Sequence, residues 1–180
     1  GVMKEKIIQG GIVNGVKMLV CPTWEEDFQN EIHKTGGCLR ISMNYSAVDV
    51  SYWKELEEIA ERYGYDLDEE AKEIIDEYVK KYEQFDDMIW MSGETEIGFE
   101  TFCRALAKKA GISPRQAKEY VVSNLHNLEH EEAVDALLLA LQIIKSENGL
   151  EGTQWNKPTC DFLKKEFEKM LGLNDGQTNA

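Results

Sequence analysis

The spacing of apolar residues changes along the chain, and this change most constrains the fold. Up to about residue 45, apolar residues form short runs or alternate with polar ones, as in β-strands. From about residue 51 they recur every three or four positions, as on one face of an α-helix. This order of patterns predicts an α+β fold. We expect a ββαβ antiparallel sheet unit at 1–48, a helical bundle at 49–172 and a disordered tail at 173–180.

The first runs contain clear turn and helix signals. Asn14-Gly15 joins two strand-like runs and favours the positive φ angles of a type I′ hairpin. Pro22 ends the second run, and Thr23-Trp24-Glu25-Glu26 has the pattern of a capping box at the start of a helix. Gly36-Gly37 ends that helix. The alternating residues predicted to form the buried face of a third strand are Leu39, Ile41, Met43 and Tyr45.

Negative charge is concentrated in the middle third of the chain. The chain has 34 acidic and 20 basic residues, and its formal net charge is −14. Residues 41–100 alone hold 18 acids against five bases. Such a surface repels nucleic acid and anionic membranes, and it attracts the basic surfaces with which proteins bind nucleic acid. Tight binding to bare DNA or to a membrane is therefore not expected.

A predicted helix from Asp66 to about Tyr82 carries the densest group of acids. Its apolar stripe would face the core, so its acids would face solvent. Asp68–Lys72 and Glu77–Lys81 would be favourable pairs, whereas neighbouring acids one turn apart repel each other. Retained repulsion favours a face that binds a partner, and the alternative is a merely solubilising helix.

An apolar insert, Met88–Met91, follows this helix in a polar link. It either fills the core or anchors a partner. The residues assigned to partner binding are Asp66, Glu69, Glu70, Glu73, Asp76, Glu77, Asp86, Asp87 and Trp90.

The stretch FCRALAKKAGISPRQAKEYV at 102–121 resembles the first helix pair of the HU/IHF family of DNA-bending proteins. A glycine stop followed by a serine cap produces similar strings by convergence. If the pair contacts nucleic acid, it does so through its basic residues, and otherwise these form a solvated face. These residues are Arg104, Lys108, Lys109, Arg115 and Lys118.

A possible metal motif occurs at His126-Asn127-Leu128-Glu129-His130. On a helix, His126 and His130 would lie one turn apart and share a zinc ion, with Glu129 as base. The third ligand that such peptidases need is not evident, and a structural zinc site needs four. We therefore expect no metal and no cofactor, and a zinc-dependent hydrolase is the alternative.

Four cysteines, at positions 21, 38, 103 and 160, lack the spacing of a metal or disulfide motif. The sequence also has no signal-peptide pattern and no apolar run long enough to cross a bilayer. We expect a cytoplasmic protein.

The N-terminal order of elements carries a second resemblance. A strand, a glycine turn, a strand ending at Pro22, a helix with Glu25-Glu26 and a further strand resemble the opening domain of antirestriction proteins, which are acidic mimics of duplex DNA. Together with the charge, this implies a non-enzymatic inhibitor of phage or mobile-element counter-defence type, either antirestriction or anti-CRISPR. Its partner would be a basic nucleic-acid-binding protein such as a nuclease, whose binding surface it would occupy.

Overall fold

The computed structural model describes residues 5–148 and 156–173, in which the chain divides into two compact units. The units are Gly1–Glu83 and Gln84–Ala180. The first contains a sheet with helices, and the second contains a small hairpin and further helices, so the α+β prediction is confirmed. The division follows residue 83 rather than residue 48, because the first two predicted bundle helices pack with the sheet unit. Nearly all of the predicted tail, from residue 174 onward, lies outside the described residues.

A five-stranded sheet forms the centre of the first unit, in the order β3-β4-β2-β1-β5. All neighbours are antiparallel except β1 and β5, which are parallel. The strands are β1 (Ile7–Val13), β2 (Val16–Pro22), β3 (Cys38–Arg40), β4 (Tyr45–Asp49) and β5 (Asp66–Leu67). The α-helices of this unit are α1 (Glu26–His33), α2 (Trp53–Tyr63) and α3 (Glu69–Tyr82), and the short 3-10 helix Val50–Tyr52 precedes α2.

The predicted β1–β2 hairpin is confirmed. Asn14 and Gly15 have φ angles of 52° and 79°, and Val13 pairs with Val16. Both positive angles are those that a type I′ turn requires.

The predicted third strand is instead two strands, β3 and β4, joined by the turn 41–44. The side chains expected to be buried, Leu39, Ile41, Met43 and Tyr45, are all exposed. The buried run of β4 is Ser46–Val48. The turn closes because Ser42 Oγ accepts hydrogen bonds from the backbone N–H groups of Asn44 and Tyr45, each at 3.1 Å.

The pairing of the strands shows which residues share each face of the sheet. Gly10, Leu19, Val48 and Cys38 form one row, and the adjacent row is formed by Gln9, Val20, Ala47 and Leu39. The first row faces α3, because a Cβ on Gly10 would lie 2.6 Å from the backbone carbonyl carbon of Glu70. Leu39 therefore lies on the sheet face opposite α3.

Two predicted helix starts are wrong. Helix α1 begins after Glu25 with no side-chain cap, and the Thr23 hydroxyl donates instead to the backbone oxygen of Met43 at 2.6 Å. Helix α3 is capped by Asp68 rather than Asp66, since Asp66-Leu67 pairs with β1 as strand β5.

The second unit is mainly helical. It contains the hairpin β6 (Ile89–Ser92) and β7 (Thr95–Gly98), followed by α4 (Phe99–Ala110), α5 (Pro114–Ser123), α6 (Leu125–Leu128), α7 (Ala133–Glu147) and α8 (Lys157–Met170). The capping box predicted at Ser113 and Gln116 is confirmed. The large, fully buried side chains of the second unit include Phe99, Phe102, Leu106, Leu137 and Phe167. No helix among the described residues is both long and apolar enough to span a bilayer.

Replacement of Gly10 by alanine is expected to destabilise the first unit by about 1–3 kcal/mol, because the new methyl group meets helix backbone that has no room to move. Urea denaturation measures the change. Gly11→Ala is the matched control, since its methyl group would meet only the tip of Val20 at 3.0 Å. Equal losses for the two variants would contradict this account.

Candidate functional site

The acidic helix α3 is fixed to the sheet by the residue at its N-cap, Asp68. Asp68 Oδ1 accepts hydrogen bonds from the backbone N–H groups of Ala71, at 2.8 Å, and Gly10, at 3.1 Å. One carboxylate oxygen thus caps the helix and joins it to β1. The acids of the first helical turn, Glu69 and Glu70, also interact favourably with the positive end of the helix dipole.

The predicted separation of apolar and acidic sides on α3 is present. Ala71, Ile74, Ile75, Tyr78 and Tyr82 are buried. The six acids of this region that were assigned to partner binding are all exposed to solvent. We call them the acidic face: Asp66, Glu69, Glu70, Glu73, Asp76 and Glu77.

The ion pairs of this face include one between β2 and α3 and one within α3. Lys17 on β2 lies 2.8 Å from Glu77, and Lys72 lies 3.5 Å from Glu69. The hydrogen bond with Glu77 raises the pKa of Lys17, and attraction to Glu73 and Glu70 adds to the effect. Three acids of α3 therefore act on one lysine. Asp68 serves as the helix cap instead of pairing with Lys72 through its side chain.

Acids of α2 extend this surface. Glu57, Glu58 and Glu61 are exposed. Glu57 and Glu61 line an open groove of about 600 Å³ together with Asp66 and Lys72. The groove is bounded by α2, β5 and α3; its carboxylates come from α2 and β5, and α3 contributes Lys72.

The remaining residues assigned to partner binding lie in the second unit. Asp86 and Asp87 are exposed, but Trp90 is only 2% exposed. The Trp90 ring stacks on Phe102 with centroids 4.0 Å apart, and its Nε1–H donates to the backbone oxygen of Leu128 at 3.0 Å. Trp90 is therefore a core residue and no partner anchor. The alternation of strand β6 exposes its neighbours Ile89 and Met91 instead.

The basic helix pair is largely neutralised within the unit. Glu100 lies 2.7 Å from both Arg104 and Lys118, and the Lys118 side chain is 4% exposed. Lys109 lies 3.9 Å from Glu166. Of the five bases assigned to nucleic-acid contact, only Lys108 is exposed, and Arg115 is half-buried. These residues do not form the open basic surface that the resemblance to a DNA-bending helix pair implied.

The Glu100 carboxylate is held in its charged form. Burial acts to raise its pKa, but the hydrogen bonds and charges of Lys118 and Arg104 outweigh burial and hold the pKa below its usual value of 4.5. Loss of this carboxylate would remove an ion pair from the buried Lys118 ammonium group.

The two histidines of the candidate zinc motif do not share a continuous helix. Helix α6 ends at Leu128, and His130 lies in the turn before α7. Both histidines are exposed, and His130 Nε2 lies 3.1 Å from a Glu129 oxygen. Within residues 5–148 and 156–173, no three His, Cys, Asp or Glu side chains are grouped so that they could hold a metal ion. His126 and His130 therefore do not lie one turn apart on a single helix, as the motif predicted.

The described cysteines are free thiols. Burial raises the pKa of Cys21, Cys38 and Cys103, which disfavours the reactive thiolate. Cys21 and Cys103 are buried and behave as small apolar side chains.

Comparison of the chain with protein-family models, curated proteins and solved structures found no match. The resemblances to antirestriction and HU/IHF proteins therefore stay predictions from the sequence.

Glu100→Gln is expected to destabilise the second unit by about 3 kcal/mol at neutral pH, as when one partner of a buried ion pair is removed. Because the folded state lowers the pKa of Glu100, its stabilisation is present above about pH 4.5 and is lost as pH falls through the lower folded-state pKa. The stability difference between wild type and variant should therefore shrink in acid.

Urea denaturation at a series of pH values measures this difference. The control is Asp161→Asn, which breaks the exposed pair with Lys157 and should cost less than about 1 kcal/mol. A pH-independent difference for Glu100→Gln would contradict the assignment.

Proposed function

We propose that this protein is a non-enzymatic acidic inhibitor of the counter-defence type, antirestriction or anti-CRISPR. Its acidic face occupies the basic nucleic-acid-binding surface of a partner such as a nuclease. The observation that carries the proposal is the row of exposed carboxylates on α3, continued by those of α2.

The spacing of these charges supports a mimic of a phosphate backbone. Five acids of the acidic face lie between Glu69 and Glu77, which on a helix span about 12 Å at a rise of about 1.5 Å per residue. Neighbouring charges are on average about 3.0 Å apart along the axis, between the values of about 1.7 Å for duplex DNA and about 3.4 Å for one strand. A basic groove that binds nucleic acid would meet a similar charge density on this helix.

The rigidity of the face also supports the proposal. Its helix is capped and bonded to β1 through Asp68, and Gly10 allows close contact with the sheet. Carboxylates on a fixed helix lose less conformational freedom on binding than those of a flexible acidic tail.

Charge reversal of Glu69, Glu73, Asp76 and Glu77 to lysine is expected to abolish partner binding. These side chains are exposed, so the fold should survive, as circular dichroism would verify. The matched control reverses Glu94, Glu96, Glu131 and Glu132, which are equally exposed acids of the second unit. Both variants change the net charge from −14 to −6.

Each variant and the wild type serve as bait in bacterial lysate, and captured proteins are identified by mass spectrometry. Binding of the purified partner is then measured with duplex DNA as competitor and over a range of salt concentrations. We expect competition by DNA and slower association at high salt, since the Debye length is about 8 Å at physiological ionic strength. Equal loss of binding in both variants, or none in the first, would refute the proposal.

Bare duplex DNA should not bind tightly at physiological salt, because phosphate neutralisation supplies most non-specific affinity and this chain is strongly acidic. A gel shift at about 150 mM salt tests whether bare duplex DNA binds. Submicromolar binding that disappears in Lys108→Glu/Lys109→Glu protein would instead support nucleic-acid contact through the basic helix pair.

A further inference from the structure

The short strand β5 lies at one edge of the five-stranded sheet and pairs only with β1 among the described strands. The backbone N–H of Asp66 donates to the backbone oxygen of Lys6, and that of Asp68 to the oxygen of Ile8, each at 2.9 Å. Because successive residues of a strand direct their backbone groups to alternate sides, the N–H and C=O of Leu67 point away from β1. Neither group has a hydrogen-bond partner among the described residues. Such an edge pairs readily with a further extended chain.

The open groove of about 600 Å³ between α2, β5 and α3 lies beside this edge, and we call it the β5 groove. Leu67 lines it, whereas no residue of β1 does. Its floor is apolar, because Ala60 and Tyr65 are buried and Leu67 is half-buried. Gly64, which joins α2 to this region, presents no side chain, and a Cβ on it would meet no atom within 4 Å. The unpaired backbone of Leu67 therefore borders an open groove with an apolar floor.

Three carboxylates line the β5 groove, those of Glu57, Glu61 and Asp66. All three are exposed, and none forms an ion pair with another described residue. Glu57 and Glu61 lie one helical turn apart on α2, where like charges repel each other. The base that lines the groove, Lys72, already lies 3.5 Å from Glu69. The groove thus carries an excess of negative charge that a cationic group would neutralise.

The chemistry of the groove favours an arginine side chain on an extended chain over a metal ion. In the part of the chain that the structure describes, no three acidic, histidine or cysteine side chains are grouped to hold a metal. A metal ion would also leave the N–H of Leu67 unused. A guanidinium group carries five N–H donors in a planar fork that matches carboxylate oxygens. The aliphatic stem of arginine packs on apolar surface, which Ala60 and Leu67 provide.

We propose that the β5 groove binds an extended, arginine-containing segment of the partner. The segment adds to the sheet edge through backbone hydrogen bonds with Leu67, and its arginine side chain donates to the carboxylates of the groove. The inference rests on the proposed function in one respect, namely that the segment belongs to the basic partner of the acidic face. It assigns recognition of a peptide to α2 and β5, in addition to the charge density of α3.

Titration of the full chain with short peptides, followed in amide NMR spectra, tests the groove without a partner protein. The probe is the acetylated and amidated peptide Ala-Val-Arg-Val-Ala. A second peptide has glutamine in place of arginine, and a third is N-methylated along its backbone. We expect the probe to shift the Leu67 amide signal saturably at up to about 10 mM, a range that covers millimolar dissociation constants. The other two peptides should bind at least about tenfold more weakly, because each lacks one set of hydrogen bonds.

The variant Glu57→Gln/Glu61→Gln removes two carboxylates from the α2 wall of the groove and should weaken binding of the probe by about tenfold. The matched control is Glu73→Gln/Asp76→Asn, which removes two equally exposed carboxylates of the acidic face that do not line the groove. It should weaken binding by at most about twofold, since salt screens distant charges. Both variants change the net charge from −14 to −12, and the same spectra report whether the fold is kept.

An absent or unsaturable shift of the Leu67 signal would overturn the proposal. Equal binding of the glutamine peptide or of the N-methylated peptide would overturn it as well, and so would equal weakening by the two variants. The proposed function fails separately: if the probe binds as expected but charge reversal of α3 leaves partner capture undiminished, the groove stays a peptide site and the acidic face is no binding surface. If charge reversal abolishes capture but the probe does not bind, the inference about the groove fails alone.

Discussion

The first unit depends on one junction, where a single carboxylate oxygen of Asp68 receives both the β1 backbone and the first turn of α3. The hydrogen bonds from Gly10 and Ala71 orient the helix, and the absence of a side chain on Gly10 allows the helix backbone to lie directly on the strand. In this orientation the apolar side chains of α3 are buried in the core, and its acidic side chains lie on the surface.

The distribution of charge in the folded chain differs from its distribution along the sequence. Residues 41–100 hold almost all of the excess acid, yet this stretch is divided between the two units. The first unit has 18 acids and 10 bases, and the second has 16 and 10. Both units are therefore acidic. The stretch 101–118 contains basic residues and no acidic residue. Glu100 directly precedes this stretch and forms ion pairs with two of its bases, Arg104 and Lys118.

The segment 39–45 and the β6–β7 hairpin both expose apolar residues that alternate at strand spacing. In both places the sequence marks apolar residues at strand spacing, but alternation alone does not tell which row faces the core. At 88–91 the structure buries Trp90 and exposes Ile89 and Met91, and at 39–45 it exposes the whole apolar row. A turn at 41–44 separates two strands there, so that the row is displayed at an edge rather than covered by helices.

Local signals in the sequence determined much of this protein, because they act over a few residues. Asn14-Gly15 determined a hairpin, Ser113 with Gln116 determined a helix start, and the apolar stripe of α3 determined which of its acids face solvent. Tertiary structure alone decided the pairing of Lys17 with Glu77 and of Lys118 with Glu100, the burial of Trp90 and the membership of α2 and α3 in the sheet unit. These outcomes depend on packing between residues far apart in the chain, which no local pattern records.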